Sequence, residues 1–407
     1  MHSVPFFRSM KAAGIIAEYN PFHNGHHHHI SETRAVSGCD VVVAAMSGDF
    51  VQRGMPAVWD KWTRAEHALR SGADLVIEIP VMYCLSDAGR YAAAGVRLLE
   101  SLGRTEWISF GSESGDIAAL TEAADFIRKN RQHIDEGIRR LKGEGLSYPA
   151  ARERVFTELG GPESASDLLC SSNDILALEY ILAMQKARPV AVRRQGAGYH
   201  ELAGTDGFMS ATGIRELMKD GRDLRSYAPA CVSEEKRKAT VFSRGSAEES
   251  ALMDLLKFSV LSSPAEAIDD CPSGGEGLGN LLKSNIRRAG SLDELIMSVK
   301  SKRYTYTRIS RLCMQQLLGI SRDDCNPGYI RVLGFTERGR QLLAEIRNHD
   351  AASLPVIINI NKEAHTLSVD ARRMLEADVH AADIYNLISG SDIDGCSDYR
   401  HMPVIVK

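Results

Sequence analysis

Between residues 12 and 130 the chain alternates short, nearly uninterrupted apolar runs with amphipathic stretches. That alternation confines it to one class of fold. The runs at 12–17, 40–46, 74–79 and 107–110 read as strands, and 24–36, 60–71, 87–102 and 117–130 as helices. Strands that are apolar throughout need cover on both faces, which is the condition of a parallel sheet. Strand–helix alternation then predicts an α/β fold, a doubly wound parallel sheet of the Rossmann-like kind.

The remainder is organised differently. Residues 134–169 read as a charged helical insertion. A helix over 173–186 follows, with Ser171 and Ser172 as candidate caps. A strand over 189–194 then returns to the sheet, and a helix over 210–219 has a serine at its start. After about residue 230 helices rich in Leu, Lys, Arg and Ser take over, interrupted by a Gly-rich loop at 272–279. Strand signals reappear at 329–333 and 355–358. We therefore expect an α/β domain over 10–230, carrying the insertion, and a mostly helical region over 231–407. With 44% hydrophobic and 25% charged residues, 407 residues suffice for a substantial core in each.

Eight cysteines stand without any C-x-x-C spacing, which argues against a zinc ribbon or a disulfide framework and for reduced thiols in a cytosol. No apolar run approaches the ~18 residues of a membrane span. Residues 1–9 carry too short an apolar run for a secretory signal and read as an extension, with the domain starting near Met10.

The strongest chemical signal is Glu18-Tyr19-Asn20-Pro21-Phe22-His23-Asn24-Gly25-His26, at the junction of the first strand and first helix. Open α/β sheets bind ligands there, beyond the carboxyl ends of their strands. The helix is expected to offer free backbone N–H groups and a partial positive charge, which suit phosphate. His23 and His26 are placed to stabilise charge developing at phosphorus. A solvent-exposed turn bearing histidines is the plainer alternative. His26 and His29 also share one helical face, but no Cys or carboxylate cluster nearby completes a metal set, and we assign no metal ligand.

His23-Asn24-Gly25-His26 is the H-x-G-H signature of a nucleotidyltransferase superfamily. It stands in order with 46–54 (MSGDFVQRG), 60–62 (DKW), 74–80 (DLVIEIP), 110–113 (FGSE), 172–176 (SNDIL) and 210–215 (SATGIR). Together these resemble the tRNA(Met) cytidine acetate ligase family, over residues 11 to 220 and more loosely to the basic helices near 311. The resemblance implies an enzyme that forms acetyl-adenylate from acetate and ATP, releasing pyrophosphate. It then acetylates the wobble cytidine of elongator tRNA(Met) to N4-acetylcytidine. By resemblance, Ile16, Ala17 and Glu18 through His29, with His27 and His28 included, hold ATP, and Gly111, Asn173 and Arg194 complete the nucleotide site. Mg²⁺ is expected with the ATP. Two other readings stay open: adenylyl transfer to a small phosphorylated metabolite, and a non-catalytic, nucleotide-sensing RNA-binding factor.

Each of these residues has a plainer reading as well. Asn173 also suits an ordinary helix start, and Arg194 a surface ion pair. Ser210, Thr212 and Arg215 suit the β- and γ-phosphates, or an ordinary cap beside a solvent-facing arginine. The loop 47–64, with Asp49, Gln52, Arg53, Asp60, Lys61 and Arg64, closes over a substrate or forms an interdomain contact. Gly213 is an unusual choice inside a helix. The family more often has Asn where Asp49 stands, which leaves the charge balance near an anion site open.

The net charge of −4 gives no general argument for nucleic acid, so a local excess of cations carries more weight. Between 283 and 311 eight Lys and Arg face only Asp293 and Glu294, with Tyr304 and Tyr306 interleaved. Lys302, Arg303, Tyr304, Arg308 and Arg311 are the expected tRNA contacts: cations for phosphates, tyrosine for an unpaired base. A solvated helix face with core tyrosines fits the same residues.

Overall fold

The structure is a computed structural model that describes residues 9–146, 148–162, 168, 172–194, 207–243, 245–322 and 325–407. The reading of residues 1–8 as an extension therefore lies outside the described residues, as do Ser171 and most of 163–171.

The α/β half follows the apolar runs closely. In order come β1 (Ala12–Ala17), α1 (Asn24–Ser37), β2 (Val41–Ser47), a short hairpin of β3 (Phe50–Val51) and β4 (Met55–Pro56), and α2 (Lys61–Arg70). Then follow β5 (Leu75–Ile79), α3 (Val81–Cys84), α4 (Ala88–Ser101), β6 (Thr105–Ser112), α5 (Ile117–Lys129), α6 (Arg131–Gly143) and α7 (Tyr148–Glu158). Next are α8 (Ser172–Ala183), β7 (Arg188–Arg193) and α9 (Ala211–Lys219). β1, β2 and β5 are buried at every or nearly every position, because helices cover both faces of the sheet. The neighbours β5–β2–β1–β6–β7 are all parallel.

The second half supplies α10 (Ala230–Ser233), α11 (Ala247–Ser262), α12 (Ala265–Asp269), α13 (Leu278–Asn285), α14 (Leu292–Val299) and α15 (Tyr306–Leu317). After them run β8 (Ile330–Thr336), α16 (Glu337–Asn348), β9 (Val356–Ile357), α17 (Ile360–Glu363), α18 (Val369–Ser389) and β10 (Val404–Val406). β8 pairs antiparallel with β5 and parallel with β9 and β10, so the last fifth or so of the chain extends the sheet that begins at Ala12. The sheet thus has eight strands, parallel except at β5–β8.

The helices α11–α15 build a separate apolar cluster around Leu252, Leu256, Leu282, Leu295, Ile309 and Leu312. Phe50 of the hairpin and Val81 and Leu85 beyond β5 insert into it. Two contacts fix this unit to the loops after β2 and β5. Ser310 Oγ donates to the Gly54 carbonyl at 2.7 Å, and Gln315 Nε2 donates to the Leu85 carbonyl. Gly54, at φ +81°, lies so close to α15 that a Cβ there would stand 2.4 Å from the Arg311 nitrogen.

Candidate active site

His23 has extended backbone (φ −148°, ψ 174°) and is the N-cap of α1. Its Nδ1 accepts from the Gly25 N–H at 3.0 Å, while His26 Nδ1 accepts from the His23 N–H at 3.3 Å. This is a capping box built from two imidazoles. The two rings stack, with centroids 3.7 Å apart. A Cβ at Gly25 would stand 2.8 Å from His23 Cε1, so glycine is what lets the ring lie over the first turn.

The caps change one expectation. Asn24 N–H goes to the Tyr227 carbonyl at 2.9 Å, Gly25 N–H to His23 Nδ1, and His26 N–H to the His23 carbonyl at 2.9 Å. The first turn of α1 therefore does not offer free backbone N–H groups. Its protons are already used, and the imidazoles take over the donor role. A neutral imidazole that accepts at Nδ1 carries its proton on Nε2, so both rings are held as Nε2–H donors.

Burial, and then the charges of Arg194 and Arg215, pull His23 down to about 3. Burial, with His23, Arg194 and His29, depresses His26 well below the usual imidazole range. His29, whose Nε2 lies 3.0 Å from Ser109 Oγ, falls to about 4 through burial, Arg194 and His28. All three rings are neutral near pH 7.

These side chains line a cavity of about 250 Å³. Its other walls come from Ile16 and Ala17 at the end of β1, Glu18, Tyr19 and Asn20 beyond it, Gln52 and Arg53, and Phe110 and Gly111 on β6. Asn173, Arg194, His28 and the amino end of α9 (Ser210, Ala211, Thr212, Arg215) complete it. It sits beyond the carboxyl ends of β1 and β6, where the chain reverses the order in which it adds strands. A Cβ at Gly111 would meet only the Arg194 side chain, at 3.5 Å from Cγ and 3.9 Å from Cδ, so a side chain there would fit the protein and intrude on the cavity. The hydroxyl of Tyr19 is buried with no protein partner among the described residues.

At α9, Ser210 Oγ accepts from the Gly213 N–H at 3.1 Å. A Cβ at Gly213 would stand 2.8 Å from Met209 Cγ, which explains the glycine inside the helix. Arg215 donates to the Asn20 carbonyl at 2.7 Å and to Thr212 Oγ1 at 3.0 Å, tying α9 to the β1–α1 turn. Neither Arg194 nor Arg215 forms an ion pair among the described residues; burial depresses both, with Arg53 adding to it and Glu113 opposing it at Arg194 and Glu18 at Arg215. Asn173 donates to Glu113 instead of standing free.

Some expected residues lie elsewhere. Phe22 is core, Pro21 follows a cis peptide bond in the turn, and Asn24 Nδ2 donates to the carbonyls of Gly207 and Ser226. The His27 ring faces away, with Nδ1 3.0 Å from the Ser71 carbonyl. In the 47–64 loop, Arg64 is buried and donates to the carbonyls of Glu18, Ser47, Gly48 and Trp59. Asp49 does not line the cavity. It accepts from the Lys61 N–H at 2.7 Å, and burial, partly offset by Lys61, pushes it up to about 7. Tyr91 and Tyr180 line the cavity without a sequence signal, because isolated aromatics on helices look like core, and so does Phe208, from the segment before α9.

The expected RNA contacts are also partly committed. Lys302 is exposed, but Arg303 pairs with Glu276 at 2.9 Å, and Arg308 binds the Ser273 and Gly274 carbonyls at 3.0 Å. Tyr304 is 7% exposed, donates to the Glu276 carbonyl, and lies under both guanidiniums. It has no face free for a base. Arg311 reaches the Gln52 carbonyl at 3.5 Å.

A parallel sheet whose first strand leads through His-x-Gly-His into a helix, with hydroxyls and arginines converging on the same cavity, defines a nucleotidyltransferase. The model of the HIGH nucleotidyl transferase family matches residues 10–396. A tRNA(Met) cytidine acetate ligase of Caldanaerobacter subterraneus subsp. tengcongensis is 37% identical, covering 97% of this chain and all of its own. One of Clostridium perfringens is 35% identical, covering 98% and 100%. Thermotoga maritima TmcAL superposes at a TM-score of 0.88 without ligand and 0.87 with bound alpha-thio ATP, at 30% and 31% identity over 98% of this chain and all of its own. The chain belongs to the tRNA(Met) cytidine acetate ligase family.

Proposed function

We propose that this protein is an ATP-dependent ligase that activates acetate as acetyl-adenylate and acetylates the wobble cytidine of elongator tRNA(Met). In the first step an acetate oxygen attacks the α-phosphorus and pyrophosphate leaves. In the second, the cytosine 4-amino nitrogen attacks the acetyl carbonyl carbon, the carbonyl–oxygen bond to AMP breaks, and the amine loses one proton. Acetate is already a nucleophile, so the first step needs positioning and charge stabilisation more than acid–base help.

The observation that carries this reading is the imidazole capping box beside Arg194 and Arg215. It aims two neutral N–H donors and two arginines without carboxylate partners at one cavity, an arrangement complementary to a triphosphate. His23 and His26 stabilise charge at the α-phosphate. Ser210, Thr212 and Arg215 take the leaving pyrophosphate, and Gly111 and Asn173 border the nucleoside. Glu18 is the one carboxylate among the described residues of the cavity wall. One carboxylate plus phosphate oxygens and water fits a Mg²⁺ ion, which supplies charge neutralisation to the phosphates. No described helix is long and apolar enough to cross a membrane, and a tRNA substrate fits a cytoplasmic enzyme. The basic residues from Lys302 to Arg311 hold the RNA, and residues 231–407 are the main tRNA-contacting region.

Acetate-dependent exchange of pyrophosphate into ATP tests the first step, and labelled acetate appearing in N4-acetylcytidine tests the second. Exchange that ignores acetate but requires a phosphorylated metabolite would favour the adenylyltransferase reading instead.

A further inference from the structure

A second, larger cavity of about 890 Å³ opens beside the first. It lies between α7 and α8 on one side and, on the other, the 272–276 loop, α15 and the residues just before it, with the start of α4 as its floor. Gln52 is the wall between the two cavities and lines both. Its backbone N–H donates to Glu18 Oε1 at 3.0 Å, its side-chain amide to the Ser86 carbonyl at 3.3 Å, and its carbonyl faces Arg311.

Three features give this groove a chemical character. Seven Lys and Arg line it against four carboxylates. Tyr148, at the start of α7, lines it while 52% exposed, a large aromatic face turned to solvent. Arg311, beside Gln52, has its Nε buried without a partner and forms no ion pair among the described residues. Excess cations, an open ring and a guanidinium outside any ion pair at the inner end suit one unpaired nucleotide of a folded RNA. The sheet order supports the direction of approach. Gly111 and Val192, on the side proposed for the nucleoside, lie at the carboxyl ends of β6 and β7, whereas Gln52 and Ser86 follow β2 and β5. An acceptor coming through the groove therefore reaches the reacting centre from the edge away from the nucleoside.

We propose that this groove seats the extruded target nucleotide, with Tyr148 stacking on its base and Arg311 and Gln52 bordering the passage through which the 4-amino group meets the acyl-adenylate. The proposal rests on the acetylation reading above and adds the route and the base platform, which Tyr304 cannot provide. Tyr148 is a positioning residue that acts on KM for RNA.

The test uses the full chain and an RNA hairpin with a fluorescent cytosine analogue at the acetylated position. Binding to the wild-type protein quenches the analogue. Tyr148→Ala abolishes the quench and raises KM for tRNA about tenfold, in line with the contribution of one stacked base, while Tyr148→Phe restores both. Acetate-dependent exchange, run on each preparation, reports the nucleotide half-reaction separately. If exchange is present but Tyr148→Ala keeps wild-type quench and KM, the groove assignment is overturned. If wild-type protein shows no exchange, the acetylation reading fails, and the fluorescence arm, which needs no turnover, still decides whether the groove binds the nucleotide.

Discussion

The two cavities that meet at Gln52 hold their positive charge in opposite ways. In the nucleotide pocket two guanidiniums stand outside any ion pair: Arg194 and Arg215 form none among the described residues, and three nearby histidines are neutral because of burial and neighbouring charges. In the groove three of the seven cations are already in ion pairs, Arg303 and Arg308 with Glu276 and Arg152 with Glu179. The first arrangement is unfavourable until a polyanion arrives, and so is preorganised for a triphosphate. The second is partly satisfied at rest, so RNA must displace the Glu276 pairs to reach Arg303 and Arg308, which favours discrimination over raw affinity.

The largest effects are expected in the pocket. His23→Ala and His26→Ala each remove an N–H donor and undo the capping box, and each is expected to slow acetate-dependent exchange about 10²- to 10³-fold. Steady-state exchange rates check this; rates within threefold of wild type would mean that the backbone, not the imidazoles, stabilises the phosphorus.

Next in size is a buried charge cluster at the pairing of β5 with β8. Lys61 Nζ bonds Glu78 at 2.8 Å and Asp398 at 2.6 Å, and Arg331 bonds Asp398 at 2.7 Å, with all four side chains buried. Burial pushes Asp398 up, but Arg331 and Lys61 outweigh it and hold the carboxyl down to about 2. Lys61→Met leaves two buried carboxylates short of a partner and is expected to cost about 3–5 kcal/mol in unfolding free energy. Denaturant titration reads that loss. A change under 1 kcal/mol would show the cluster to be hydrated and dispensable.

This cluster also shows where sequence reading stops. The strands and the His23–His26 turn were legible because each is a contiguous run whose residues meet their own neighbours. Asp398 and Lys61 lie 337 residues apart, and nothing local in either marks the pair. The antiparallel pairing of β8 with β5 is hidden for the same reason, and a hairpin of two-residue strands leaves no period to detect. The tRNA expectation suffered differently. Composition located the basic segment but could not tell a guanidinium paired with Glu276 from one awaiting phosphate, nor the buried Tyr304 from the open Tyr148.

Smaller effects should follow from releasing the groove. Glu276→Gln removes the partner that Arg303 and Arg308 share, and is expected to tighten tRNA binding severalfold at low salt and steepen its salt dependence. Arg308→Ala is expected to weaken binding and reduce the salt slope by about one. Filter-binding titrations over a range of KCl test both. Were Glu276→Gln to leave affinity and slope unchanged, the groove cations would not contact phosphate.

The smallest expected effect is none, and it tests the pocket's half of the contrast. Histidines that titrate near their ordinary value impose a step on kcat/KM between pH 6 and 7, because that parameter reports the free enzyme. Here His23 is drawn down to about 3 and His29 to about 4, so both stay neutral as pH falls from 8 to 5.5. The sign follows: a lowered folded-state value means that the unfolded chain takes up protons first, so acid costs stability only below about pH 6.5 and the folded site keeps its Nε2–H donors throughout. The profile of kcat/KM for ATP in exchange should then carry no histidine step over this range. An inflection near 6.5 that disappears in His23→Gln would mean that the ring is charged in the working enzyme, and that the pocket, like the groove, balances its charge before the substrate arrives.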